Sequence, residues 1–490
     1  MQVNIYKKIF RDIGIIGIAN LFSVFNGILL IPIITKVLGA EEYGLFVQFT
    51  VTISLIASFS TLGLPYTTVR FLAGEKDSKR ICDDLYSTFS LIALASIIIS
   101  TLILLASNQI SEILFKGEKV FVLLVALLIP IESLNGSFQN VFRVFQNVKS
   151  YTIVSIARTL VETLASIIVV LSGFGIIQVA ITMVIIRSIT MVILLITTVR
   201  SVGFQRPTFK RMKDYLKFGL PTIPSNIASW VTNSSDRYII SFFLGVIYVG
   251  YYNPAYALGG MIQIFMTPVN FVLVAVVSKI YEDNNIDLLR DVFKYSIKYF
   301  LMISIPAFFG LSLLSRPILI ILTTPEIAEQ SYLVTPFVAF SMLITGIGGV
   351  ATGLSLYLAK RTDISMINWI LVASTNIILT VLLVPRWGII GAAVATMIAF
   401  IVGFIFGGYY AFKYFKFAID WKSITKTIVS SLVMSTVIVF FFPKSFLEIV
   451  LVISLGAIIY LASMIILKAI SFDEIKFIRS SIIGHKEVES

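Results

Sequence analysis

Residues 36–46, KVLGAEEYGLF, decide how this chain is read. Gly39 and Gly44 have the glycine spacing of a phosphate-binding loop, and FFLGVIYVGYY (242–252) repeats it with Gly245 and Gly250. Such a loop needs Lys and then Ser or Thr directly after its second glycine, one to reach the phosphates and the other to hold Mg²⁺. Here Gly44 is followed by Leu45 and Phe46, and Gly250 by Tyr251 and Tyr252. Neither stretch can grip a triphosphate, so no ATP site is expected. What remains is one short turn used twice, between the first two helices of two similar halves.

Composition sets the class. The 490 residues are 58% hydrophobic and 13% charged, with a mean hydropathy of +0.96. A chain this apolar cannot cover itself with polar groups in water, which predicts an all-α polytopic membrane protein. One cysteine, Cys82, excludes an internal disulfide, and one histidine, His485, argues against a Cys/His metal site. The start, MQVNIYKKIFR, resembles the basic head of a signal peptide, but the apolar stretch over 13–38 lacks a clear cleavage site. A retained first span is therefore expected.

Apolar runs long enough for a core of about 30 Å predict fourteen spans. Most of the 38 Lys and Arg residues then lie on the side of the N-terminus, which predicts both termini in the cytoplasm. The net charge of +12 is mostly this bias beside anionic lipid. The strongest basic run, RSVGFQRPTFKRMKDYLK (200–217), has no accompanying aromatic module, so nucleic acid is not an expected partner.

Placing Leu38-Gly39 on Leu244-Gly245 also brings Gly44 onto Gly250 and Asn20 onto Asn226. A closely similar shift aligns FGIIQVAITMVI (174–185) with WGIIGAAVATMIA (387–399). The predicted organisation is two pseudo-symmetric six-helix lobes, over 1–200 and 218–413, joined by a basic linker at 201–217. Helices 13 and 14 follow over 424–467, with a tail at 468–490. Six is even, so the repeat is parallel, about an axis along the membrane normal.

ITKVLGAEEYGLFVQFTVTISLIASFSTLGLPYTTVRFLA (34–73) resembles the opening of Wzx-type polysaccharide-export flippases. These belong to the multidrug/oligosaccharidyl-lipid/polysaccharide (MOP) superfamily. SDRYIISFFLGVIYVGYYNPAYALG (235–259) resembles the family's seventh and eighth helices, and WGIIGAAVATMIA its twelfth-helix pattern. The resemblance implies a flippase, not an enzyme, in the bacterial cytoplasmic membrane. Its substrate would be an undecaprenyl-pyrophosphate-linked oligosaccharide, turned to the outer leaflet for O-antigen, capsule or exopolysaccharide assembly. Membrane lipids and other polysaccharide assembly proteins would be its partners, and no cofactor is implied.

Independently of family, six ionisable residues fall at membrane depth: Glu132, Arg158, Glu162, Arg187, Asp236 and Arg237. Each costs about 2.5–3.5 kcal/mol at a helix centre unless it has a partner or a wet cavity. Glu132, Asn135, Gln139, Arg143 and Gln146 form one stripe on helix 4 at helical spacing. Helix 5 carries Ser155, Thr159, Glu162 and Ser166, with Arg158 alongside; helix 7 carries Asn226, Ser229, Asn233 and Arg237; helix 8 carries Tyr256, Gln263, Thr267 and Asn270; helix 11 carries Ser365, Asn368 and Thr375.

These stripes predict a hydrophilic lumen. Arg158, Arg187, Arg237, Arg143, Asn135, Gln139, Asn226, Asn233 and Gln263 are the candidate substrate-facing residues. Glu132, Glu162 and Asp236 are candidates for coupling H⁺ or Na⁺. Arg158 and Glu162, four apart, could neutralise each other as a structural pair or act directly, and the sequence leaves both open. Asp236 and Arg237, being adjacent, are expected to find partners on other helices. Arg187 is either a substrate-facing cation or a partner of Glu132 or Glu162. The competing functions are a cation-coupled multidrug antiporter and a membrane polymerase or glycosyltransferase. The former predicts an acid-dominated cavity, and the latter needs an outer catalytic domain for which no loop is long enough.

Overall fold

The computed structural model describes residues 22, 25–72, 74–441 and 443–469; at 225, 267–272, 275, 279 and 282 only the backbone is described. The basic start, Asn20, His485 and nearly all of the tail lie outside these residues, as do the side chains of Thr267 and Asn270. The first half runs α1 (Phe25–Val37), α2 (Gly39–Ser60), α3 (Leu64–Leu72), α4 (Ser78–Leu105), α5 (Ser107–Phe115), α6 (Lys119–Val144), α7 (Val148–Leu171) and α8 (Ile176–Val202). After α9 (Met212–Gly219) come α10 (Ile223–Leu244), α11 (Val246–Gly260), α12 (Gln263–Glu282) and α13 (Ile286–Leu313). Two short helices, α14 (Ser315–Leu322) and α15 (Pro325–Ser331), precede α16 (Val334–Gly348). A π-helical turn over Gly349–Leu354 leads into α17 (Ser355–Leu358), followed by α18 (Thr362–Tyr414), α19 (Trp421–Phe440) and α20 (Phe446–Ile466).

Among the described residues, ten helices are long and apolar enough to cross a membrane. The protein is an all-α, multi-pass membrane protein. Four features separate ten from the fourteen expected. Only Phe25–Val37 of the first span is described as an apolar helix, and α10 carries too many polar residues. The eighth apolar stretch breaks after Gly260 into α11 and α12, and α18 holds two helices in one. At Gly388 the backbone turns to φ 59° and ψ −143°, a left-handed position that suits glycine, just after Pro385.

Side-chain caps define the helix starts. Asp77 accepts from the amides of Lys79 and Arg80 at the head of α4, and Asn147, Asn285, Asp420 and Ser445 do the same for α7, α13, α19 and α20. Apolar exposure shows which faces meet lipid. On α8, Ile185, Ile189, Ile193 and Ile196 are exposed along one side, while Arg187 points inward.

The opening glycines divide into two jobs. Gly39 (φ 89°) and Gly245 (φ 98°) do make the turns between helices. Gly44 and Gly250 do not; they lie inside α2 and α11, where these helices cross. A Cβ on Gly44 would overlap the Val246 carbonyl, and one on Gly250 the Ala40 carbonyl. The shift that places Gly39 on Gly245 exchanges these two contacts, so the crossing has the self-complementary form of a two-fold contact. Shared glycine spacing thus encodes a helix–helix contact as well as a turn.

The basic linker is docked rather than free. Thr208 donates from its amide and hydroxyl to Asp83 (2.7 and 2.6 Å). Asp84, 1% exposed, accepts from Tyr215 (2.6 Å) and pairs with Arg211 (2.7 Å). Part of the charge read as a topology signal therefore holds the linker to α4.

Candidate functional site

Three helices of the first half bring four ionisable residues together. Glu132 on α6 accepts from Arg158 Nη1 on α7 at 3.2 and 3.4 Å, and from Arg187 Nη1 on α8 at 3.3 Å. Arg187 also grips Glu162 in the paired geometry of a guanidinium fork, Nε to Oε2 at 3.0 Å and Nη2 to Oε1 at 2.8 Å. The chain of pairs reads Arg158–Glu132–Arg187–Glu162. All four side chains keep some exposure, 14% for Arg187 and 22% for Arg158.

This corrects the expected Arg158–Glu162 pair. Four residues apart on one helix they could meet, but Arg158 turns to Glu132 and Glu162 to Arg187. Partners on neighbouring helices win because packing brings α6, α7 and α8 into contact. It also changes the standing of Arg187, which is held by two carboxylates, whereas Arg158 uses only Nη1. Among the described residues, Nε and Nη2 of Arg158 have no partner.

The expected stripe on α6 is split. Asn135 is buried and donates to the Arg187 carbonyl at 3.0 Å, so it holds α6 to α8. The Gln139 Nε2 is buried without a partner among the described residues. Arg143, at the end of α6, is exposed and bonds to Asn140 at 3.1 Å.

The second half supplies a more deeply buried centre. Arg237 Nη1 pairs with Asp236 Oδ1 at 2.7 Å and reaches the Asn233 carbonyl at 2.5 Å; its Nη2 donates to Asn253 Oδ1 at 3.3 Å. Its guanidinium carbon lies 4.0 Å from the centre of the Tyr256 ring, a cation–π contact. Tyr252 donates to Asp236 Oδ2 at 2.5 Å. Adjacent positions were expected to keep Asp236 and Arg237 apart, and they do not. The short aspartate stays beside the backbone while the long arginine folds back to it, and α11 packs over both. Asn233 joins through its carbonyl; its own amide donates to Ser229 at 2.7 Å. Asn226 is exposed near the start of α10 and joins neither centre, and Gln263 donates to the Met342 sulfur at 2.9 Å, away from both.

A cavity of about 350 Å³ lies between the centres. Glu162, Thr159 and Arg187 line one side, and Arg237, Ser234 and Asn253 the other, with Tyr43 of α2 between them. Asn253 Nδ2 donates to the Tyr43 hydroxyl at 2.8 Å, and Asn26 of α1 donates to the Thr159 carbonyl at 3.1 Å. Sequence reading missed Asn26, Tyr43, Tyr252 and Asn253. Their only sequence signal is polarity or an aromatic hydroxyl near an already recognised turn. The arrangement places guanidinium donors, carboxylates and neutral hydrogen-bonding groups around one space.

Comparison with known proteins finds the same fold elsewhere. A solved structure of the lipid II flippase MurJ in an inward closed conformation matches with a TM-score of 0.78 at 20% identity, over 92% of this chain and 97% of that one. An inward-facing multidrug resistance MATE family transporter of the MOP superfamily matches at 0.62 and 16% identity, over 80% and 94%. These likenesses show a shared fold. In sequence, the chain is 26% identical over 238 residues to the probable low-salt glycan biosynthesis flippase Agl15 of Haloferax volcanii, covering 49% of this chain and 50% of that protein. It is 24% identical over 178 residues to the probable flippase AglR of the same organism, covering 36% of each. The chain thus spans half or less of the length of these curated relatives. The model of a family described as polysaccharide biosynthesis protein matches residues 33–330, more than half of the chain, and to that family this protein belongs.

Proposed function

We propose that this protein is a flippase that carries a lipid-linked oligosaccharide across the cytoplasmic membrane by alternating access. In this reading, fourteen crossings form lobes over 1–200 and 218–413 plus a pair over 424–467, with both termini in the cytoplasm. The observation that carries the proposal is the cavity lined by Arg187 and Glu162 on one side and Arg237 and Asn253 on the other. A diphosphate entering it competes with Glu162 and Glu132 for the Arg187 guanidinium, and Arg158 then remains as the partner of Glu132. Neutral groups such as Asn253 and Ser234 meet sugar hydroxyls. The polyprenyl tail, with nothing polar to gain in the cavity, stays in lipid.

Opening one end of the cavity requires α2 and α11 to part at Gly44 and Gly250. Closing the other end then returns the empty carrier. Glu132, Glu162 or Asp236 takes up H⁺ or Na⁺ when its arginine turns to the substrate, and so links transport to an ion gradient. The test is the pool of lipid-linked oligosaccharide in a deletion strain compared with the complemented strain. Complete units accumulating on the inner leaflet support the proposal, and their mass names the glycan. An unchanged pool with reduced dye efflux instead supports the multidrug antiporter.

A further inference from the structure

A second cavity, of about 360 Å³, lies wholly within the second half, between α12, α16, α18 and the π-helical turn. Its size is in the about 300–1,000 Å³ range of small-molecule sites, and far above the roughly 15 Å³ that holds a single water. Among the described residues, no charged side chain lines it. Neither a phosphate nor a cationic drug finds a counter-charge there. The polar groups present are neutral, and two of them are left unsatisfied. Thr352 is 6% exposed, and neither its Oγ1 nor the Asn368 Oδ1 has a hydrogen-bond partner among the described residues. Unpaired buried acceptors and hydroxyls carry a desolvation cost that a ligand can relieve.

The backbone accommodates the space. The helix widens to a π turn at Gly349–Leu354, a departure that recurs at functional sites. Trp369 and Phe404 supply aromatic walls beside Asn368, and Gln263 stands exposed at the rim. An aromatic face carries partial negative charge that attracts the slightly positive C–H face of a sugar ring. Amide and hydroxyl groups at its edge then match the ring's own hydroxyls.

We propose that this cavity is a binding subsite for a neutral hexose or N-acetylhexosamine ring of the transported glycan, with Trp369 as stacking platform and Thr352 and Asn368 as hydrogen-bonding edge. The proposal rests on the flippase reading and extends it. The charged cavity holds the diphosphate end, and this one holds an uncharged sugar, so the two ends of the headgroup are recognised by different halves of the molecule.

The experiment is saturation-transfer NMR on the full chain in lipid nanodiscs, with neutral methyl hexosides and methyl N-acetylhexosaminides as probes. Geranylgeranyl diphosphate serves as a separate probe of the charged cavity. The expected result is magnetisation transfer to the ring C–H protons of at least one glycoside. Trp369→Ala weakens that binding about fivefold to tenfold, and Trp369→Phe keeps most of it. Thr352→Val, which preserves shape and removes only the hydroxyl, also weakens it, so the test survives if Trp369→Ala fails to fold. Diphosphate binding is unaffected by these changes and weakened in Arg187→Lys, which keeps the charge but loses the paired donors. Absence of glycoside binding, or binding indifferent to both Trp369→Ala and Thr352→Val, overturns the subsite while intact diphosphate binding leaves the flippase reading standing. Absence of both overturns the two together.

Discussion

Arg187 is the residue whose surroundings matter most for how the first half is built. Two carboxylates from two other helices close on it, so its removal leaves, among the described residues, Glu132 with one partner and Glu162 with none. Breaking a fully buried pair from one side costs about 3–5 kcal/mol, and this partly exposed cluster loses a share of that. Arg187→Ala is therefore expected to lose both thermal stability and transport, read by a melting assay in detergent alongside oligosaccharide-lipid turnover. Arg158→Ala should behave differently. Its Glu132 partner keeps Arg187, so membrane abundance stays near normal while transport falls about tenfold or more. Normal transport in that variant removes Arg158 from the substrate path. A third test separates structure from substrate contact: Glu162→Arg combined with Arg187→Glu restores abundance relative to either single change if the fork between them is mainly structural. That these six ionisable residues lie within long helices was legible in the sequence. Their pairing was not, because adjacency along one helix says nothing about which neighbour packs closer.

At the scale of elements, the crossing of α2 and α11 is the contact that the proposed cycle must open and close. Both helices present a glycine at the closest point, so a side chain there has no room. Gly44→Val is expected to hold the two helices apart, raising thiol labelling of Ala40→Cys from that end and abolishing transport. A disulfide between Ala40→Cys and Val246→Cys should do the reverse. It locks this end shut, and activity returns on reduction; retained activity in the fully oxidised pair overturns the alternating-access role of this crossing. Cys82 is buried and the chain's single thiol, so a cysteine-free background needs one change. The glycines of this crossing announced themselves through their repeat spacing, and a hairpin turn was the natural reading. The turn belongs to Gly39 and Gly245 alone. Only the fold could give the other two their role, since the surface each one meets belongs to a helix about two hundred residues away.

For the whole molecule, the ends of the bundle are distinguished by their charge contacts. Glu41 pairs with Lys116 at one end, and Arg211 with Asp84 at the other. If the termini are cytoplasmic, cysteines at 41 or 118 label from outside intact cells and one at 210 does not. The opposite pattern inverts the topology. In the proposed reading the two cavities take the two ends of one headgroup. One lies between the halves and is lined by both signs of charge, and the other lies within the second half and has no charged wall among the described residues.

The sequence by itself determined that this chain is helical and membrane-spanning, where most of its helices lie, and which ionisable residues those helices carry. Those properties follow from local composition, because a bilayer demands a long apolar run and penalises each charge in it regardless of what lies beside it. It also carried the family resemblance that the match over residues 33–330 bears out. The tertiary structure alone decided which arginine answers which carboxylate, that Gly44 and Gly250 meet each other, and that Asn26, Tyr43 and Asn253 border the same cavity as Arg187. Each of these depends on contacts between residues far apart in the chain, where the energy of a pairing is set by distance and desolvation in three dimensions and leaves no periodic trace in one.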